Sequence, residues 1–146
     1  MNATLQDRPL RILLAGYRSH PHVGGQGIYI KHLSAALARL GHEVTVISGP
    51  PYPELEDGIR CIQLSSMNLY EHPTPFKALT PSHWSSLANW IEWWGKITGK
   101  FTEPEAFGRR LARFLKQDFF EHGQRFDIVH DNQCLADRLL KLPLPV

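Results

Sequence analysis

The chain has 146 residues, 42% of them hydrophobic and 21% charged, with a net charge of +2. That length suits one ordinary domain, which buries roughly 68–70% of the surface its unfolded chain exposes, and the composition is that expected of a soluble globular protein. The small charge, with no Lys/Arg run and no basic stripe interleaved with aromatics, argues against a nucleic-acid partner.

Residues 1–9 are polar rather than leader-like, and no apolar stretch is long enough to span a bilayer. Cys61 and Cys134 lie far apart and form no Cys-x-x-Cys pair, so both read as buried free thiols of a reducing, cytoplasmic compartment.

In chain order, residues 11–16, RILLAG, form a short apolar run closed by glycine. It reads as a strand buried on both faces, as in parallel sheets. A polar loop follows, carrying Arg18, His20 and His22, and then Gly24, Gly25, Gln26 and Gly27. From Ile28 the apolar positions Ile30, Leu33, Leu37 and Leu40 give a helical stripe, and Gly41 stands where a C′ glycine belongs. Residues 43–48, EVTVIS, are a second strand, so the first fifty residues read βαβ. Residues 59–64 predict a third strand.

All four tryptophans fall between Trp84 and Trp94. Trp84, Leu87, Ile91 and Trp94 recur at helical spacing, and such aromatics are more often core than ligand contacts. Thr102-Glu-Pro-Glu105 fits a capping box with proline in the first turn. It opens a helix with Phe107, Leu111, Phe114, Leu115 and Phe119 on one face, ending near Gly123. Arg109, Arg113 and Lys116 on the other face read as solvated. Residues 126–130 predict a fourth strand and residues 135–142 a short helix. The alternation implies an α/β fold, a Rossmann-like open parallel sheet with helices on both faces.

The glycines need a reason, because glycine costs backbone entropy on folding. A tight turn would account for them. So would an anion site: no Ser, Thr, Asp or Asn precedes Ile28 to cap the helix, whose first amides are unpaired and whose end is positive. A P-loop is excluded, since no Gly-Lys-Ser/Thr follows. The dinucleotide fingerprint fits poorly, because Ile30 stands where a third small residue belongs and no acidic residue follows the second strand.

The run RILLAGYRSHPHVGGQGIYIKHLSAALARLGHEVTVISG resembles the start of a glycosyltransferase of family four, and FDIVHDNQ resembles that family's fourth-strand motif. The resemblance implies a GT-B architecture, two Rossmann-like domains facing across a cleft. Residues 1–146 are then expected to be the acceptor-side N-terminal domain, incomplete where residues 142–146 open a fifth strand, with the donor-binding domain outside this chain. The implied reaction is retaining sugar transfer from a nucleoside-diphosphate sugar to a sugar, lipid or small-molecule acceptor, without a metal or resident cofactor; no Asp-x-Asp is present.

The resemblance places Gly24, Gly25, Gln26 and Gly27 at the donor diphosphate. It makes His130 the catalytic-site group, orienting sugar or acceptor by a hydrogen bond. Many relatives carry a second histidine two positions on, where this chain has Asn132. Arg18, His22, Asp131, Asn132 and Trp84 are acceptor-side candidates, and His20 and His22 line the cleft without the partners a metal would need. An incomplete sheet predicts self-association, and a lipid acceptor would bring membrane-surface contact. The alternatives are a non-catalytic nucleotide- or sugar-binding module and, disfavoured by the missing acid, an NAD(P)-dependent oxidoreductase.

Overall fold

The computed structural model describes residues 8–66, 87–99, 102–120, 123 and 125–132. Four strands among these residues form one all-parallel sheet: β1 (Arg11–Gly16), β2 (Glu43–Ser48), β3 (Arg60–Gln63) and β4 (Ile128–Asn132), in the order β3-β2-β1-β4. Three helices accompany them, α1 (Gly25–Arg39), α2 (Leu87–Thr98) and α3 (Glu103–Phe114), the last continuing as a π-helical stretch over Leu115–Phe120. The Rossmann-like α/β reading therefore holds.

β1 carries an unbroken apolar run because both of its faces are covered. Leu13 and Ala15 join Ile47, Phe107, Leu111, Leu115 and Phe126 on the α3 side. Ile12 and Leu14 join Val44, Val46 and Ile30 on the α1 side, with Leu33 and Leu37 packed on them. Leu13, Leu14, Ile30 and Leu111 are at most 1% exposed, and each such side chain contributes about 1.5–3 kcal/mol of burial.

α1 ends as the sequence predicts. Gly41 has φ 89°, its N–H donates to the Ala38 carbonyl at 2.9 Å, and His42 N–H donates to Leu37 at 3.2 Å, which is the paired bond pattern of a Schellman motif. Its start lies three residues earlier than Ile28. Gly24 is the N-cap, and Gly25, Gln26 and Gly27 form the first turn.

Two further expectations are corrected. Thr102 does precede α3 and Pro104 sits in its first turn, yet its side chain makes no cap bond. Its hydroxyl instead donates to the Ile91 carbonyl at 2.9 Å, tying α3 to α2. The tryptophan stripe is not core either: Leu87 is 60%, Trp90 40% and Trp94 61% exposed. α2 turns its small residues inward. Ala88 is buried, and a Cβ on Gly95 would lie 2.8 Å from Thr102 Cβ. The helix approaches α3 too closely for a large side chain at that contact, so Leu87, Trp90 and Trp94 face out while Ile91 and Trp93 are half-buried. Trp84, Cys134 and the helix predicted for 135–142 lie outside the described residues. Cys61 is free and half-buried, and burial pushes its thiol pKa up.

Candidate functional site

The chain order fixes where a ligand can enter. β1 leads through α1 to β2 on one side, whereas β4 pairs with β1 on the other. The switch point lies between β1 and β4, and in open α/β sheets the crevice at the carboxyl ends there is the binding site. The register sets Gly16 beside Asn132. A cavity of about 590 Å³ opens at that place, lined by Arg18, His20, Val23, Gly24, Gly25, Gln26, Tyr29 and Asn132.

The loop after β1 is held from below. Gly49 N–H donates to the Gly16 carbonyl at 3.0 Å, Ser19 N–H to the Pro51 carbonyl at 2.9 Å, and the buried Ser19 and Ser48 hydroxyls lie 3.0 Å apart. His20 then organises the turn: its Nδ1 accepts from the backbone N–H of His22 at 3.0 Å and of Val23 at 3.1 Å. An imidazole that accepts at Nδ1 carries its proton on Nε2, so His20 offers a donor there.

The three glycines serve three needs. Gly24 has φ 77° and ψ 155°, a conformation in effect reserved for glycine. Gly27 is buried against the loop, where a Cβ would lie 2.6 Å from the Ser19 carbonyl oxygen and nearer still to that of His20. Gly25 has neither constraint. Its backbone is ordinary and a Cβ would meet no described residue within 4 Å, so the described fold does not require glycine there. The helix start has no side-chain cap bond and no acidic residue in its first turn, which leaves the positive helix end open toward the cavity.

The charge in the cavity wall comes from Arg18. Its guanidinium lies 5.6 Å above the Tyr17 ring and 3.8 Å from Glu103 at the start of α3. Gln26 Nε2 donates to the Tyr17 hydroxyl at 3.4 Å.

Of the residues singled out in the sequence, Arg18, His20, Gly24, Gly25, Gln26 and Asn132 meet at this cavity. Gly27 faces the loop instead. The His22 ring is 71% exposed and 3.5 Å from a Glu54 oxygen, outside the lining. The pleat separates the three residues of the fourth-strand motif. Val129 packs on the α3 side, so exposed Asp131 belongs to that face, while His130 and Asn132 belong to the α1 face. Asn132, at the strand's end, reaches the cavity and is buried there. His130 sits one pleat back, half-buried, with its ring centroid 6.1 Å from that of Tyr29. Tyr29 escaped the sequence reading. The signal was its position four residues after Gly25, on the same helix face.

Asp127 of the same motif works at the opposite end of the sheet. Arg8 donates to both of its oxygens at 2.8 and 3.2 Å, Arg11 N–H donates to it at 2.8 Å, and its own N–H donates to the Arg11 carbonyl. These contacts, led by Arg8, hold its carboxyl well below the usual carboxylate range and staple the start of β4 to β1. Among the described residues no group of three His, Cys, Asp or Glu side chains could hold a metal ion, and no helix is long and apolar enough to cross a membrane.

Comparison with known proteins identifies the family. The family described as glycosyl transferase 4-like domain matches residues 24–144. The chain is also 45% identical over 136 residues to the MMP alpha-(1->4)-mannosyltransferase of Mycolicibacterium hassiacum, a match covering 91% of this chain. It spans 32%, about a third, of that relative's length. The chain belongs to the family of glycosyl transferase 4-like domains.

Proposed function

We propose that this chain is the N-terminal, acceptor-side part of an enzyme that transfers a sugar from a nucleoside-diphosphate sugar. Transfer proceeds with retention and without a metal, and a second α/β domain supplies the other wall of the cleft. The relative's name makes mannosyl the first sugar to test. Gly25 carries the reading: it lines the cavity at an uncapped helix start, and no described residue fills the space its missing side chain leaves. A phosphate can approach the amides there without meeting a Cβ.

As the glycosidic bond breaks, negative charge develops on the departing nucleoside diphosphate. Fixed amides and the helix end stabilise that charge without reorganising, and Arg18 adds a cation at the same wall. Asn132, buried at the end of β4, offers an amide to a sugar hydroxyl. The acceptor approaches over the loop and β4.

The test is calorimetric titration of the complete protein with GDP-mannose and UDP-glucose, wild type against Gly25→Val. The expected result is micromolar binding of one donor, weakened at least tenfold by the substitution at unchanged melting temperature. Equal affinity in both proteins would refute the phosphate site.

A further inference from the structure

Tyr29 is a large aromatic side chain left 46% exposed on the cavity side of α1. The neighbouring inward positions of that helix, Gly27, Ile30 and Ser34, are buried against the loop and the sheet. The Tyr29 ring has a partner beside it: the His130 ring lies 6.1 Å away centre to centre, inclined by 33°. The phenol ring thus has an imidazole from β4 as its neighbour, and the ring forms part of the cavity wall. A side chain with few rotatable bonds and a ring neighbour is a rigid, broad apolar surface in a site otherwise lined by backbone amides, the Arg18 guanidinium, the His20 imidazole, the Gln26 and Asn132 carboxamides and the smaller apolar side chain of Val23.

We infer that Tyr29 is the platform on which the apolar face of the transferred pyranose packs, with His130 beside it as a positioning residue rather than a group touching substrate. The inference rests on the donor site proposed above and deepens it. A pyranose carries C–H bonds on one face and hydroxyls around its rim. The ring of Tyr29 suits the first and the Asn132 amide suits the second. Tyr29 lies just over one helical turn, about 6 Å of rise, beyond the Gly25 amide, so a sugar attached to a phosphate at Gly25 falls beside the ring. The division is between two parts of one ligand: phosphate at residues 24–26, sugar at Tyr29 and Asn132.

The experiment compares GDP with GDP-mannose, and UDP with UDP-glucose, on the complete protein carrying Tyr29→Ala, Tyr29→Phe, His130→Ala or the double Tyr29→Ala/His130→Ala change. Tyr29→Ala should weaken the nucleotide sugar at least tenfold and leave the nucleoside diphosphate within twofold. Tyr29→Phe should restore sugar binding, because the ring face does the packing. His130→Ala should weaken the sugar several-fold alone and add nothing in the Tyr29→Ala background, since it acts through that ring. Equal weakening of diphosphate and nucleotide sugar, or none, would overturn the platform while leaving the donor site standing. Additive effects of the two substitutions would return His130 to direct contact and overturn its positioning role. If the wild type binds neither member of either pair, the donor site fails and this inference with it.

Discussion

Gly25 and Gly27 are two residues apart, yet the structure predicts opposite responses to one added methyl group. At Gly27 the methyl would stand 2.6 Å from the Ser19 carbonyl oxygen and closer to that of His20. Both obstacles are backbone, and the loop bearing them is bonded to the exit of β2, so neither swings aside. Overpacking of this kind costs about 1–3 kcal/mol, and rigid backbone obstacles belong at the upper end. Replacing glycine by alanine in a helix gains about 1 kcal/mol. Gly27→Ala should therefore lose a net ~2 kcal/mol, or roughly 4–8 °C in melting temperature for a domain of this size. At Gly25 the methyl meets no described residue, so Gly25→Ala should be neutral to slightly stabilising while nucleotide-sugar affinity falls. Scanning calorimetry and donor titration on both variants separate the effects. A Gly27→Ala protein as stable as wild type would refute the packing argument. The family resemblance puts Gly27 at the phosphate; the loop carbonyls explain why folding should suffer first.

Four other outcomes follow from the geometry. Gly24→Ala should destabilise by about 1–3 kcal/mol through its left-handed backbone alone, measurable as a shift in urea midpoint. Asn132→Ala should lower kcat/KM about tenfold, the loss of ~1.4 kcal/mol from one oriented hydrogen bond, whereas Asp131→Ala, on the other face, should stay near wild type in the same assay. The depressed pKa of Asp127 stabilises the fold fully above the ordinary carboxylate value of about 3.9. That contribution is lost as pH falls from there toward the folded-state value, so urea midpoints should drop more steeply with acid in the wild type than in Asp127→Asn. The raised pKa of half-buried Cys61 leaves little thiolate at neutral pH, so iodoacetamide should label it more slowly than free cysteine.

What the sequence made legible was set by neighbours along the chain. The unbroken apolar run of β1 announced burial on both faces, the stripe from Ile30 to Leu37 announced α1, and Gly41 marked its end. The glycine cluster marked the site because the missing cap is itself a local feature. What stayed hidden depends on partners distant in sequence. Nothing near Gly27 reveals that two carbonyls of the preceding loop fill its missing side chain. Thr102 looked like a cap, but the Ile91 carbonyl eleven residues earlier takes its hydroxyl. The spacing of Leu87, Ile91 and Trp94 revealed the helix α2 but not which side it turns inward; the tight contact at Gly95 decided that. Tyr29 became legible only once α1 was seen to begin at Gly25 and β4 to lie across from it.

The placement of the indoles decides what light can report about this protein. All four tryptophans belong to residues 84–94, and none lies in β1, α1 or the loop between them. Trp90 and Trp94 already meet water in the folded chain, so their emission is red-shifted from the outset and moves little on denaturation. Trp93 stands edge-on to Trp90 with centroids 5.7 Å apart, an asymmetric pair that should dominate the near-ultraviolet dichroism. The dichroism of the Trp90–Trp93 pair therefore follows the packing of α2 and not the sheet, whereas the emission of Trp90 and Trp94 follows neither.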